Sequence, residues 1–454
     1  MAGLTVAYEL IERTQRVPGG VEILCLEAAG RVGGNIRSAH EDGFLYEWAA
    51  NGYLDNAPAT TTLVRRLGLE PIRSREAAAR RFIFRKGRLR EIPLAPPAFL
   101  LSDVLSIGGR MRVLAEPFVP RRRSTEEESV FDFAARRIGR EAASILVDAM
   151  VSGIYAGNAR RLSLEACFPK MRKMESEHGG LFRAMLAKRR ASRDGPSAGG
   201  PSGPGGTLTS FRGGMQELPD ALARELGGHL RLDAPVERLS DLGRRGFRVH
   251  PAEGAPFDVD AVVVTCPAWK SSPILEGLDA ELGGALAAIP PAPVAVVHLG
   301  FRRDALPSLP EGFGFLVPRG QGPRILGALW ASDIFEGRAP AGSMLITVMI
   351  GGAHDPASQE LDDAELIKVA REDLRITMGI LVAPYFVRIV RHARGIPQYD
   401  LGHMQRLATI ERRLASCPGL WIGGNSLRGI AVNACVEDGS RIAESVLDYL
   451  VTRQ

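Results

Sequence analysis

The chain has 454 residues, of which 45% are hydrophobic and 24% charged, with a formal net charge of +5. That is long for one domain, and the balance is that of a globular protein. No run of about 18 apolar residues is present, which argues against a membrane-spanning helix, and no charged-then-apolar leader opens the sequence.

The first predicted element is a helix opening at Gly3, with apolar residues at 4, 6, 7, 10 and 11 in helical spacing. A strand from Val21 to Glu27 follows, then the turn Arg31-Val-Gly33-Gly34. In a dinucleotide-binding unit the third glycine of G-x-G-x-x-G lets helix and strand approach closely. An acid about 20 residues on bonds the ribose hydroxyls. Gly3 and Glu27, 24 residues apart, match those roles, although Gly3 alone reads as an ordinary small residue. The first strand and first two glycines of the fingerprint have no counterpart. The expectation is a start codon called too late, and weak grip on a pyrophosphate, whose usual seat is the amides at that helix start.

Residues 57–69 read as a helix ending at Gly68, and 81–89 as a hairpin with Lys86-Gly87 at the turn. Between Arg80 and Arg123 stand eleven Lys or Arg against three Asp or Glu. Two readings stand for this basic, partly apolar stretch: contact with an anionic membrane surface, or a solvated basic face. It lacks the motif and the aromatic interleaving of a nucleic-acid site. From 94 to 190 the pattern is mainly helical, and 192–206 is a low-complexity loop of Gly, Pro and Ser. Strands are expected at 230–232, 247–250, 261–265, 294–301, 313–317, 324–329 and 343–350, in an antiparallel or mixed sheet. A helix is expected at 362–377, a strand at 420–422 and a helix at 434–450. The late strand ends in Gly423-Gly424-Asn425, and Gly429-Ile-Ala-Val-Asn433 follows. A binding signature is thus split between the two termini.

The five cysteines, at 25, 167, 266, 417 and 435, show neither C-x-x-C nor metal-ligand spacing. Three of them lie in apolar strands or beside helix starts and read as small core residues, and the setting reads as reducing and cytoplasmic. No metal site is expected, and no Ser/His/Asp or paired-carboxylate device stands out. His403 reads as a structural histidine rather than a base.

These motifs resemble the flavin amine oxidase superfamily through Glu27 to Asn35, Ala261 to Pro267 and the Gly423-Gly424-Asn425 segment. They resemble more closely its protoporphyrinogen oxidase family through Val151 to Gly157, Ser210 to Pro219, Ile396 to His403 and Gly429 to Asn433. The resemblance spans almost the whole chain. It implies an α/β (α+β) fold with a discontinuous Rossmann-like FAD-binding domain at 1–56, 231–305 and 416–454. An inserted mixed-sheet substrate domain would occupy 57–84, 203–230 and 306–415, and a helical membrane-associated domain 85–202. Implied FAD contacts are Gly3, Glu27, Ala28, Arg31, Gly34, Asn35, Ala49, Ala50, Asn51, Gly52, Val236, Gly424, Asn425, Ile430, Ala431 and Val432. Implied substrate contacts are Arg81, Gly157, Leu316, Leu326 and Ile346, with Arg80 as the alternative to Arg81.

The reaction implied is FAD-dependent six-electron oxidation of a porphyrinogen, with hydride passing to the flavin and no catalytic side chain. The acceptor is O2, with a quinone as the alternative, since no second G-x-G-x-x-G offers a nicotinamide site. The resemblance further admits peripheral contact with the inner face of the cell membrane, a homodimer, and handover of product to a ferrochelatase. Protoporphyrinogen and coproporphyrinogen are not distinguished. The competing readings are an amine oxidase or desaturase of the same superfamily, and a chain unable to hold FAD.

Overall fold

A computed structural model describes residues 1–14, 20–93, 96–124, 126–191 and 206–453. All but the last residue of the 192–206 loop lies outside these. The architecture is mixed α/β.

The chain's two ends build one layer together. The N-terminal helix Ala2–Thr14 buries Leu4, Val6, Ala7 and Leu10, and it packs on the C-terminal helix Val432–Arg453. Beneath them lie two parallel strand pairs. Cys25–Leu26 pairs with Leu230–Arg231, and Val262–Val264 with Leu420–Ile422. No backbone ladder joins one pair to the other among the described residues. Ile23 and Val263 nonetheless pack into one cluster with Val6, Leu10, Ile442 and Val446, so both pairs lie under the same two helices. A three-stranded antiparallel sheet, Val236–Asp241, Phe247–Pro251 and Phe257–Val259, flanks this layer.

A second layer is a seven-stranded mixed sheet. Its order is Phe386–Pro397, Pro291–Arg302, Ser343–Gly351, Gly327–Trp330, Gly314–Leu316, Phe82–Arg85, Arg88–Glu91. All contacts are antiparallel except that between Gly314–Leu316 and Phe82–Arg85. One face is sealed by the helix Asp363–Met378, which opens on an Asp362/Glu365 capping box. Phe82, Phe84, Val297, Phe301, Trp330, Ile346 and Leu374 fill that core. The opposite face meets the hairpin Ser38–Glu41/Phe44–Glu47 through Phe44, Tyr46, Val296, Leu345 and Phe386.

One of these elements was not legible in the sequence, and another is found shifted from its expected start. The twelve-residue strand Phe386–Pro397 carries Arg388, Arg391 and Arg394, and arginines on both of its faces, with Arg388 paired to Glu41 and Arg391 to Asp363, hide the alternation. The strand expected from 324 begins only at Gly327, because the amides of Arg324 and Ile325 donate instead to the Asp373 carboxylate, at 2.7 and 2.9 Å.

The intervening helices, from Pro96–Leu101 to Leu181–Ala191, form a body of their own. Gly139, at φ +93°, ends the helix Val130–Ile138, and a π-helical turn at Ala143–Val147 precedes Asp148–Tyr155. The body is tied by a buried ion cluster. Arg137 and Glu116 are wholly buried and paired, and Glu175 joins Arg137 at 3.4 Å and Arg136 at 2.6 Å. Much of the local basic excess is absorbed in such pairs: Arg80 with Glu91, Arg85 with Glu141, Arg88 and Arg90 with Asp103, Arg122 with Glu128. No described helix is long and apolar enough to cross a membrane.

Candidate functional site

The first wall of the site is built by the two chain ends. A Cβ at Gly3 would fall 2.4 Å from Thr265 Oγ1, so the helix start crosses the end of Val262–Val264 as closely as a glycine permits. Glu27 closes its strand. Its amide donates to the Arg231 carbonyl at 2.9 Å, and the Ala29 amide donates to its Oε1 at 3.0 Å. The other carboxylate oxygen takes no hydrogen bond among the described residues and stands beside exposed Ala28. Val236, half-buried, opens its strand at a bulge.

The glycine pair divides its work. Gly33, at φ +99°, is hemmed in by Pro219 and the Ile36 carbonyl, whereas Gly34, at φ +61°, opens onto free space beside exposed Asn35. Arg31 turns back on this loop and donates to the carbonyls of Val32, Ile36 and Gly34 at 3.0, 3.3 and 2.5 Å. Desolvation, and then Arg37, lower its pKa. Arg31 therefore braces the turn.

Ala49 is exposed, and Ala50 and Asn51 are half-buried. Gly52 is a packing glycine, since a Cβ there would fall 2.5 Å from the Thr209 carbonyl. Gly424, at φ +101°, sits against the Thr265 carbonyl, and the Asn425 carbonyl accepts the Tyr399 hydroxyl at 2.5 Å. Ile430 leans on the cluster around Tyr155 and Tyr399. Exposed Ala431 precedes Val432, where the C-terminal helix begins two residues before the expected start at 434. The positive end of a 22-residue helix is thereby presented at Ala431. An open carboxylate, an outward-facing glycine turn and a helix N-terminus are donor and acceptor groups of the kind a flavin dinucleotide requires.

The second wall is the seven-stranded sheet. Alternation along Phe82–Arg85 sends Phe82 and Phe84 into the helix-covered core, leaving Arg81 on the other face with Ile83. Leu316 lies on that face too, packed with Ile83 against the helical body, and Leu326 belongs to the cluster of Phe44, Tyr46 and Leu345. Ile346 does not share it. It is fully buried in the core against Asp363–Met378, so its neighbours Leu345 and Thr347 face the other way. This corrects its expected role: the residue period of 2 in a strand moves the wall to the adjacent positions. The motif glycine that Leu316 approaches is Gly153, whose Cβ would fall 2.7 Å from Leu316 Cδ2. Gly157 lies behind it, buried against Gln398 and Leu162. Between them Ala156 holds a left-handed φ of +46°, unusual for a non-glycine, and its carbonyl accepts the Ala353 amide at 2.7 Å.

Arg81 and Arg80 are now distinguishable. Arg80 points to Glu91 and donates twice to Oε2, at 3.1 and 2.7 Å. The Arg81 side chain has no ion pair or hydrogen bond among the described residues, and its guanidinium carbon lies 5.3 Å from the Phe313 ring centroid. It is exposed to solvent, and partial desolvation lowers its pKa.

His403 is wholly buried. Its Nε2 lies 2.9 Å from the Leu427 carbonyl, so that nitrogen carries the proton. Burial pulls its pKa down to about 4, which bars it from serving as a base for substrate. Sequence reasoning overlooked Trp48, whose ring carries Arg37 at 4.0 Å, and Tyr399. The signal for Tyr399 was its place in Pro397-Gln-Tyr-Asp-Leu-Gly-His403.

The chain matches the family of flavin-containing amine oxidoreductases over residues 1–447. It is 30% identical to protoporphyrinogen oxidase 1 of Arabidopsis thaliana chloroplasts, over 99% of this chain and 87% of that one. It is 32% identical to protoporphyrinogen oxidase of Bos taurus, over 98% and 96%, and 28% identical to coproporphyrinogen III oxidase of Bacillus subtilis, over 99% and 97%. A crystal structure from Exiguobacterium sp. 255-15, provisionally assigned as a protoporphyrinogen oxidase, superimposes with a TM-score of 0.82 at 26% identity, covering 99% of this chain and 97% of that one.

Proposed function

We propose that this chain, which belongs to the flavin-containing amine oxidoreductase family, oxidises protoporphyrinogen IX to protoporphyrin IX with O2 as electron acceptor. The observation that carries the substrate reading is Arg81. An exposed cation with no ion pair among the described residues, on the aliphatic face of a sheet, suits a flat apolar macrocycle that carries carboxylates. FAD, when bound, supplies a two-electron acceptor for each of three successive steps. The chain's own residues bind and orient. Glu27 offers an acceptor to the adenosine ribose. The outward amides around Ala431, at a positive helix end, favour negative charge at the flavin's pyrimidine edge. Leu316 and Leu326 form the apolar wall, and Arg81 holds a propionate. The balanced reaction takes three O2 and releases three H2O2 per porphyrin.

Coproporphyrinogen III is the second reading, favoured by the Bacillus relative, 97% of which the chain covers. The test is the rise of porphyrin fluorescence when FAD-loaded protein meets each porphyrinogen in air. Turnover of coproporphyrinogen alone would move the assignment to the second reading.

The location proposed is peripheral, on an anionic membrane surface. Leu101, Ile107 and Phe118 are 88%, 74% and 85% exposed, and Ile107 and Met111 share one face of the helix Ile107–Leu114. Exposed Arg121 and Arg123 adjoin them in sequence. Such a face suits shallow insertion beside anionic headgroups. Flotation with anionic vesicles should be lost in the Ile107→Asp/Phe118→Asp variant, and undiminished flotation would contradict the proposal.

A further inference from the structure

The segment Pro397 to His403 contributes two rings to the protein interior, neither of which has an assigned part in the chemistry above. Tyr399 and His403 are both wholly buried and stacked, with centroids 4.3 Å apart and planes inclined by 21°. Each ends on a backbone carbonyl of one short stretch. The Tyr399 hydroxyl donates to Asn425 O at 2.5 Å, and His403 Nε2 donates to Leu427 O at 2.9 Å. The same stretch is held from the other side. The Gly424 amide donates to Asp438 at 3.0 Å, and Ser426 Oγ accepts the Ala268 amide at 3.0 Å. Four side chains thus fix residues 424–427. The next residues, Arg428 to Ala431, are half-buried or exposed and lead directly into the C-terminal helix.

We infer that Tyr399 and His403 are positioning residues: they fix the carbonyls of Asn425 and Leu427, and through them the register of the 430–432 amides against the pyrimidine edge of the flavin. This rests on the flavin reading given above. A buried hydrophobic pair would fill the same space, but it could not grip two carbonyls two residues apart. A phenol and an imidazole in one stack can, because each buried carbonyl needs a donor and each ring carries one. The anchor reaches further, since the Gly402 amide, beside His403, bonds Glu127 of the segment leading into the helical body.

The test uses Tyr399→Phe, His403→Phe and His403→Gln in FAD-loaded protein. Two readouts are taken besides activity: the flavin reduction potential, and amide hydrogen exchange across 424–432 in protein without added FAD. Tyr399→Phe and His403→Phe should each speed exchange in 424–432 by roughly tenfold or more, the scale of one lost buried hydrogen bond. Each should also make the potential more negative, by about 30 mV for a tenfold loss of preference for reduced flavin. His403→Gln, which can still donate to Leu427, should restore both. A role in stability alone would lower the melting temperature and leave the potential at the wild-type value, and that result overturns the inference. Should His403→Phe fail to fold, Tyr399→Phe, which removes one oxygen, decides alone. Failure of wild-type protein to bind FAD would overturn the flavin reading instead, and the exchange data would still judge the clamp.

Discussion

Arg81→Ala isolates the substrate contact from the rest of the site. The guanidinium lies 5.3 Å from the Phe313 ring centroid and makes no ion pair among the described residues, so its removal should barely change stability. A charge-assisted hydrogen bond to a propionate is worth about 1.5–3 kcal/mol, or roughly 10- to 150-fold in binding. Because solvent reaches Arg81, screening places the expectation toward the lower end, about tenfold to thirtyfold. The propionate lies far from the reacting carbon, so the loss should fall on KM and leave kcat within about twofold. Arg81→Lys should recover part of it, since the charge remains but the planar fork does not. Arg80→Ala is the control: it breaks an exposed pair with Glu91 and should change KM little. Initial rates of porphyrin fluorescence across substrate concentration provide both constants. An equal effect from Arg80→Ala, or a fall in kcat at unchanged KM, would refute the reasoning.

Gly3→Ala should destabilise the protein by about 1–3 kcal/mol, because the new Cβ would meet Thr265 Oγ1 at 2.4 Å. Thr265→Ala should rescue it in the double variant, and additive losses in urea denaturation would contradict this. Arg137→Met should cost about 3–5 kcal/mol by leaving buried Glu116 without its ion-pair partner, while Glu175 keeps Arg136, and a loss below about 1 kcal/mol would show that the cluster is unimportant. Burial pulls His298 down to about 3 and His403 to about 4, whereas both titrate near 6.5 when unfolded. Below pH 6.5 the unfolded chain therefore binds more protons. The stability from keeping them neutral is fully present above about pH 6.5 and is lost as pH falls toward 4, by up to about 1.4 kcal/mol per unit for each histidine. His298→Gln should flatten the decline; an unchanged slope would contradict the assignment.

How much could be read in advance follows from where the signal lives. The split nucleotide signature was legible because strands and glycine turns impose local rules. Gly33 and Gly34 do take positive φ, Glu27 directly follows a strand that is shorter than expected, Cys25–Leu26, and the helix after Gly429 starts two residues before expectation. The hairpin at 81–89 was legible for the same reason. Choosing between Arg80 and Arg81 was not, because it depends on Glu91, eleven residues on in the partner strand. Ile346 misled because the resemblance points to its strand, whereas only the position of the helix Asp363–Met378 decides which face of that strand is the wall. Tyr399 and His403 were visible as letters of a motif, but their work is on carbonyls more than twenty residues away.

The most direct test of the account is to load the protein with FAD, supply protoporphyrinogen IX or coproporphyrinogen III in air, and count porphyrin formed and H2O2 released. The account predicts porphyrin fluorescence dependent on FAD, with three H2O2 per porphyrin. Absence of porphyrin from both substrates, with consumption of a primary amine or a polyene in their place, would contradict it and leave only the family assignment standing.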